Sequence, residues 1–245
     1  MLMKTISIIL PVYMEAGNVA AAVEGATWAV NQAGFDDYEM MIIDCLREDG
    51  THDGTPEIAD ALAKKDQHIR VFHNSYINLG RKFWLGVDNA HFPYVVMVAG
   101  DNELARESIR GVIAHTGEAD IIMSYTANME IRPLMRRVIS RTFTFLTNLI
   151  VGLHLRYYNG MCVHKTENLR KIKERNDSFA YSAEILAQLI RAGYSHKEVP
   201  MILKKRDRGK PTAFKMKNVI GVSRTLFKLF WKYRIKGAQE VSDER

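Results

Sequence analysis

The sequence predicts an α/β fold in which a mostly parallel sheet carries helices on both faces. Two observations support this: short apolar runs recur along the first half of the chain, and each is followed by a segment with helical periodicity. A strand that is apolar at every position has both faces covered, and strands separated by helices pair in parallel. Residues 6–10 form the first run and stop at Pro11, with helical spacing over 17–32. Residues 40–43 are the second strand. The helix over 56–65 carries Pro56 just inside its start, where the missing N–H costs nothing. A strand over 69–72, a helix near 81–90, a strand over 94–98, a helix near 107–115 and a run over 120–123 continue the alternation. The first 125 residues therefore read as a nucleotide-binding type of α/β half.

Beyond that point the rhythm changes. A helix is expected over 135–153 with a basic first turn, then a short strand over 160–163, a helix over 179–191 and a strand over 196–203 that enters the polar run 204–212. A long helix is expected over 214–235, with Val219, Val222, Leu226 and Phe230 on one face and Lys217, Arg224, Lys228 and Lys232 on the opposite face. The chain is thus expected to divide into a catalytic domain over 1–212 and a basic amphipathic C-terminal helix and tail over 213–245.

Composition narrows the function classes. Of the 245 residues, 47% are hydrophobic and 25% charged, which argues against disorder. The net charge of +6 is concentrated in residues 132–156 and 197–236, pointing to a polyanionic surface or phosphate-bearing substrates. Charge alone would also suit nucleic acid, but no recognition motif is present and none is expected as a partner. The two cysteines are too few for a disulfide framework, and the opening apolar run reads as a strand rather than a leader, so a cytoplasmic setting is expected. The most apolar stretch, 138–155, is interrupted by Arg141, Asn148 and His154 and falls short of the roughly 20 apolar residues of a membrane span. Zinc spacing, a Gly-x-Gly-x-x-Gly turn and a Walker loop are all lacking, which weakens hydrolase, dinucleotide and P-loop readings.

The chemistry gathers where the early strands end. Residues 95–98 are continuously apolar, and after Ala99 and Gly100 come two acids, Asp101 and Glu103, with one residue between them. The carboxyl end of a buried strand is where α/β sheets hold ligands, and Mg²⁺ or Mn²⁺ takes one or two carboxylates plus phosphate oxygens. The loops after the first two strands add Glu15, Asp44, Asp49 and Asp53 to the same rim. For Asp49 and Asp53, turn capping is the favoured reading, because Asp-Gly pairs form turns well.

The ordered series 8–15 (Ile-Ile-Leu-Pro-Val-Tyr-Met-Glu), 48–55 (Glu-Asp-Gly-Thr-His-Asp-Gly-Thr), Asn78-Leu79-Gly80 and 99–103 (Ala-Gly-Asp-Asn-Glu) resembles the motifs of family 2 glycosyltransferases with the GT-A fold. Tyr157-Tyr158-Asn159-Gly160, Ala183-Glu184-Ile185-Leu186, Gly193-Tyr194, Glu198-Val199-Pro200 and Lys217-Asn218-Val219 resemble the branch of dolichyl-phosphate mannose synthases and bacterial undecaprenyl-phosphate sugar transferases. The resemblance spans most of residues 5–235. It implies a UDP- or GDP-linked sugar donor, a polyprenyl phosphate acceptor, a Mg²⁺ or Mn²⁺ cofactor and transfer with inversion.

By the same resemblance Pro11, Tyr13 and Glu15 frame the nucleotide, and Asp44 or Asp49 binds the base. Asp101 and Glu103 hold the metal, and Arg136, Arg137 and Arg141 meet the acceptor phosphate. Asn159, Glu184 and Lys210 belong to the acceptor and sugar pocket, although for Glu184 a solvated helix carboxylate is the favoured reading. The chain departs from the family at Ala99, which replaces the first acid of Asp-x-Asp, and at Cys45-Leu46-Arg47, which lengthen the base loop. It departs also at Tyr125, which replaces an arginine, and around Lys210, the nearest substitute for a displaced lysine. The basic helices give a route to peripheral contact with the cytoplasmic membrane face. Two alternatives stay open: a soluble transferase to a saccharide or protein hydroxyl, and a nucleotide-sugar-binding pseudoenzyme at the membrane. A homo-oligomer is left open as well.

Overall fold

The computed structural model describes residues 3–204 and 216–235, with side chains of the last helix described from residue 221 onward. The expected boundary at 212/213 and Lys210 lie outside the described residues, as do the side chains of Lys217 and Val219. Seven strands form one mixed sheet in the order β3-β2-β1-β4-β6-β5-β7. The strands are β1 (Thr5–Pro11), β2 (Asp37–Cys45), β3 (Ile69–Asn74), β4 (Tyr94–Met97), β5 (Ile121–Thr126), β6 (Cys162–Lys165) and β7 (His196–Met201). Neighbours pair in parallel except at β6, which runs antiparallel to both β4 and β5.

Every residue of β1 is buried, because helices cover both sides. Ile6, Ile8 and Leu10 pack toward α1 (Val19–Gln32), α2 (Thr55–Lys65) and α4 (Arg106–Ile113). Ile9, one step out of phase, packs with Met41, Val95 and residues of α3 (Leu79–Asn89), α6 (Thr166–Arg170) and α7 (Tyr181–Arg191). That alternation is the period of two of a pleated strand. The expected α/β class with helices on both faces is the observed one. In α2, Pro56 stands in the first turn, Glu57 near the N-terminus, and Lys64 and Lys65 in the last turn, complementing the helix dipole. α6 follows β6 directly and is too short to leave a periodic signal.

Two long helices, α5 (Leu134–Val151) and α8 (Met216–Phe230), pack against each other. A π-helical turn, Trp231–Ile235, follows α8. The packed face of α8 is not the expected one. Thr225 and Leu229 are buried, whereas Phe230 is exposed and Lys228 turns inward to Glu184. The reason is local: a Cβ at Gly221 would sit 3.3 Å from the Ser178 side chain, and Thr225 Oγ1 accepts from Asn176 Nδ2 at 2.8 Å. The helix is rolled onto its small and hydroxyl residues, leaving Phe227, Phe230 and Trp231 in solvent. Among the described residues no helix is long and apolar enough to cross a membrane.

Candidate active site

The carboxyl ends of β1, β2 and β4 form one rim. After β4, Val98 N donates to Ile9 O at 2.9 Å and Gly100 N to Pro11 O at 3.3 Å, so the chain runs on beside β1. Gly100 is required there, because a Cβ would come 2.3 Å from Val12 Cγ1. Next comes the acidic turn, with Asn102 at φ 55° and Glu103 N donating to Asp101 Oδ1 at 3.2 Å. The turn is strapped from behind: Leu104 bridges Leu203, and Lys204 N donates to Glu103 O at 2.8 Å.

Opposite the turn stands the start of α5. Arg136 Nη2 lies 3.9 Å from Glu103 Oε2, with both side chains mostly buried. Burial and the neighbouring Arg132 lower the Arg136 pKa, against the pull of Glu103 and Asp101. Arg132 Nη1 donates to Tyr157 Oη at 2.9 Å. The Nε atoms of Arg132 and Arg137 are buried without a hydrogen-bond partner among the described residues. Arg132, Arg136 and Arg137 thus bring three guanidinium groups to this end of α5, beside two carboxylates, which favours an anion there.

The nucleotide side is built from the β1 and β2 loops. Pro11 is buried, Tyr13 is half-buried, and the Glu15 carboxylate accepts from Asn18 Nδ2 at 2.6 Å just before α1. Thr55 Oγ1 and Asp53 Oδ2 accept from Glu15 N and Ala16 N, at 2.9 and 3.0 Å. Asp49 is exposed and accepts from Thr51 N and Oγ1 at 2.9 and 2.7 Å. Asp53 Oδ1 likewise accepts from Thr55 N at 3.1 Å, so both aspartates cap turns, as expected.

Asp44 is only 2% exposed, and His73 Nδ1 lies 2.9 Å from each of its oxygens. The far ring nitrogen of His73 is 3.2 Å from Asp60. Burial pushes the Asp44 carboxyl up. His73 is itself partly buried, which lowers its pKa, yet Asp44 and Asp60 outweigh this and raise it.

One residue at the rim had no sequence signal. Lys82, 2% exposed in α3, donates to Val12 O at 2.5 Å. Its burial lowers the ammonium pKa, against the pull of Cys45 and Asp44. A helical lysine normally reads as solvated. Only the position of α3 beneath the β1 loop makes it an internal support.

The structure brings Asp101, Glu103 and Arg136 together. Arg141 lies further along α5, in the wall of a cavity of about 330 Å³ shared with Tyr125, Thr126, Arg156 and Tyr157. Asn159 is exposed beside Gly160, where a Cβ would meet Ser124 O at 1.9 Å. Glu184 is 3% exposed, not solvated as the favoured reading had it, and accepts from Lys228 Nζ and Asn176 Nδ2, each at 2.7 Å. Among the described residues no group of three or more His, Cys, Asp or Glu is arranged to hold a metal. Asp101 and Glu103 therefore fit an ion shared with ligand phosphates and not a closed protein cage.

A mixed seven-stranded sheet with helices on both faces, an acidic turn after β4 and a basic helix facing it is an α/β domain of GT-A architecture. The chain belongs to glycosyl transferase family 2, whose model matches residues 7–164. A glycosyltransferase of Haloferax volcanii, AglD, is 26% identical over 247 residues, covering 94% of this chain and 38% of that protein. The uncharacterized glycosyltransferase EpsJ of Bacillus subtilis is 32% identical over 97 residues, 40% of this chain and 26% of that protein. The chain thus spans less than half the length of these relatives. Among solved structures, glucosyl-3-phosphoglycerate synthase of Mycobacterium tuberculosis with Mg²⁺ and UDP superposes at TM-score 0.66 with 16% identity, covering 93% of this chain and 78% of that one. The same enzyme with Mn²⁺, UDP and glucosyl-3-phosphoglycerate gives TM-score 0.64, also at 16% identity, with 93% and 79% covered.

Proposed function

We propose that this chain moves a sugar from a UDP- or GDP-linked donor to a polyprenyl phosphate, dolichyl or undecaprenyl in type, at the cytoplasmic face of a membrane. One observation carries this reading. The helix that sets Arg136 against the acidic turn also exposes a row of large apolar side chains, including Met135 at 71% and Phe145 at 65%. α8, packed beside it, adds Phe227, Phe230 and Trp231, with Arg224, Lys232 and Arg234 on the same helix and turn. Exposed apolar side chains accompanied by basic groups on neighbouring helices suit anionic lipid.

In this reading Asp101 and Glu103 hold a Mg²⁺ or Mn²⁺ ion, which would stabilise the departing diphosphate. UDP accompanies Mn²⁺ or Mg²⁺ in the structural neighbours named above, which supports the same arrangement here. With Ala99 in place of a first acid, the ion rests on two carboxylates and is held mainly together with the nucleotide. The β1 loop, supported from beneath by Lys82, and the Asp44–His73 pair border the nucleoside. Arg136, Arg137 and Arg141 draw the acceptor phosphate toward the sugar. That phosphate is ionised at neutral pH, so its oxygen attacks the anomeric carbon without a strong base as the bond to the diphosphate breaks. A single displacement inverts the centre, and catalysis consists of positioning and charge neutralisation.

A second reading draws on the same neighbour, which is also solved in complex with UDP-glucose and phosphoglyceric acid: a small phosphorylated acceptor would use the same arginines. A single-turnover assay with UDP- and GDP-sugars, Mn²⁺, and polyprenyl phosphate or small phosphate esters separates the two. Formation of a glycosylated polyprenyl phosphate is expected. Transfer only to small esters or to hydroxyl acceptors overturns the lipid reading, and donor binding without turnover on any acceptor supports the pseudoenzyme.

A further inference from the structure

We propose that Arg156, stacked on Tyr125 beside Arg141, completes a phosphate-monoester subsite in the cavity between β5 and α5. The binding claim stands on the cavity alone; its catalytic consequence rests on the transfer reading above. The cavity, about 330 Å³, is walled by Tyr125, Thr126, Ser140, Arg141, Arg156 and Tyr157 among others, and none of its lining residues is acidic. The Arg156 guanidinium lies 4.5 Å from the centre of the Tyr125 ring. Its backbone N–H donates to Glu198 Oε1 at 2.7 Å, which fixes where the side chain springs from, while Glu198 Oε2 lies 3.9 Å from Nε.

Stacking on a ring restrains a guanidinium without using up its in-plane donors, so a planar fork is left available to a tetrahedral anion. A second observation points to a ligand. Thr126 is 8% exposed in the cavity wall, and its buried hydroxyl has no hydrogen-bond partner among the described residues. Buried hydroxyls are ordinarily satisfied, so an unpaired one in the wall of a cavity that also holds two arginines marks a place for a bound oxygen.

Two arginines and a free hydroxyl around a small cavity match a doubly charged phosphate oxygen cluster better than a neutral sugar. Phe145 and Met129 supply an apolar wall, and Phe145 continues onto the exposed face of α5. The site thus accommodates a phosphate head followed by an apolar chain. Tyr125, which stands where the family has an arginine, becomes the platform for a guanidinium supplied from the loop before β6.

The test uses the full chain and two probes, farnesyl phosphate and glycerol 3-phosphate, with farnesol as the uncharged control, read by calorimetry without donor. Both phosphates are expected to bind, farnesyl phosphate more tightly, and farnesol not measurably. R156Q is expected to weaken both phosphates about tenfold or more, as loss of a charge-assisted bidentate contact does. R156K should fall between, keeping charge but losing the fork. In turnover, the KM for acceptor should rise with the donor KM unchanged. Equal binding of farnesol and farnesyl phosphate, or R156Q binding as wild type does, overturns the subsite. The transfer reading is checked separately by nucleotide-induced thermal shift: loss of that shift in the wild type refutes the transferase, whereas its presence without phosphate binding refutes only the subsite.

Discussion

Lys228 Nζ lies 2.7 Å from Glu184 Oε1, joining α8 to the first turn of α7 across 44 residues of sequence. Glu184 is buried and its other oxygen accepts from Asn176, so the pair is the polar anchor of the C-terminal helix. Removing Lys228 leaves a buried carboxylate short of a cation. Because the lysine is 45% exposed, the cost is held to about 1–2 kcal/mol, below that of a fully buried pair. K228A should show this loss in denaturant titrations, together with faster amide exchange over residues 221–235. Unchanged exchange there would mean that Leu229 and the Thr225–Asn176 contact hold the helix without the ion pair.

The acidic turn gives the second prediction. D101N and E103Q should each lower transfer by roughly a hundredfold, the scale on which loss of one charge-stabilising group acts. Both should also abolish the Mn²⁺-dependent part of UDP-induced stabilisation while leaving the unliganded melting temperature near wild type. Full Mn²⁺ dependence in both variants would place the ion elsewhere.

Gly100 is a tightly confined residue of the rim. G100A puts a methyl 2.3 Å from Val12 Cγ1, and overpacking of this kind costs about 1–3 kcal/mol. The strain falls on the turn that carries Asp101, so donor affinity should drop along with stability. A variant that melts and binds UDP like wild type would show that the β1 and β4 loops are looser than this packing implies.

The His73 contact makes stability depend on pH in a set direction. Its folded pKa is raised above 6.5 by Asp44 and Asp60 against the effect of its own burial. The contribution is therefore complete below about pH 6.5 and declines as pH rises through the folded value. With half the imidazole exposed, it stays under about 1 kcal/mol. The melting-temperature difference between wild type and H73Q should be larger at pH 5.5 than at pH 8.5. A difference that grows with pH would reverse the assignment.

Membrane contact is tested by flotation with anionic vesicles. Binding should weaken as salt rises, and F145S together with F227S should reduce it further at low salt, since each removes about 1.5–3 kcal/mol of apolar transfer when fully inserted. Partition insensitive to both salt and the double substitution would argue that these faces meet something other than lipid.

Much of the nucleotide half was legible because its strands are buried on both faces. Apolar continuity in 6–10, 40–43 and 95–98 marks a parallel sheet, and the acids follow at the carboxyl ends of its strands. The contacts that assemble the site from distant parts of the chain were not legible. Lys82 looks like any solvated helix lysine until α3 is seen beneath the Val12 carbonyl. α8 has apolar residues on two faces, and the choice between them depends on Ser178 and Asn176, some 45 residues earlier. Glu184 reads as a solvated or sugar-facing acid in the sequence, because its partner, Lys228, lies 44 residues further along the chain. Arg156 left no local signal, since stacking on Tyr125 depends on the pairing of β5 with β7 and the loop that packs over it.

The strap behind the acidic turn has a mechanical corollary. Lys204 N is hydrogen-bonded to Glu103 O at 2.8 Å. A displacement of the backbone at Lys204 is thereby conveyed to position 103 through a single hydrogen bond, and a displacement at position 103 returns by the same route.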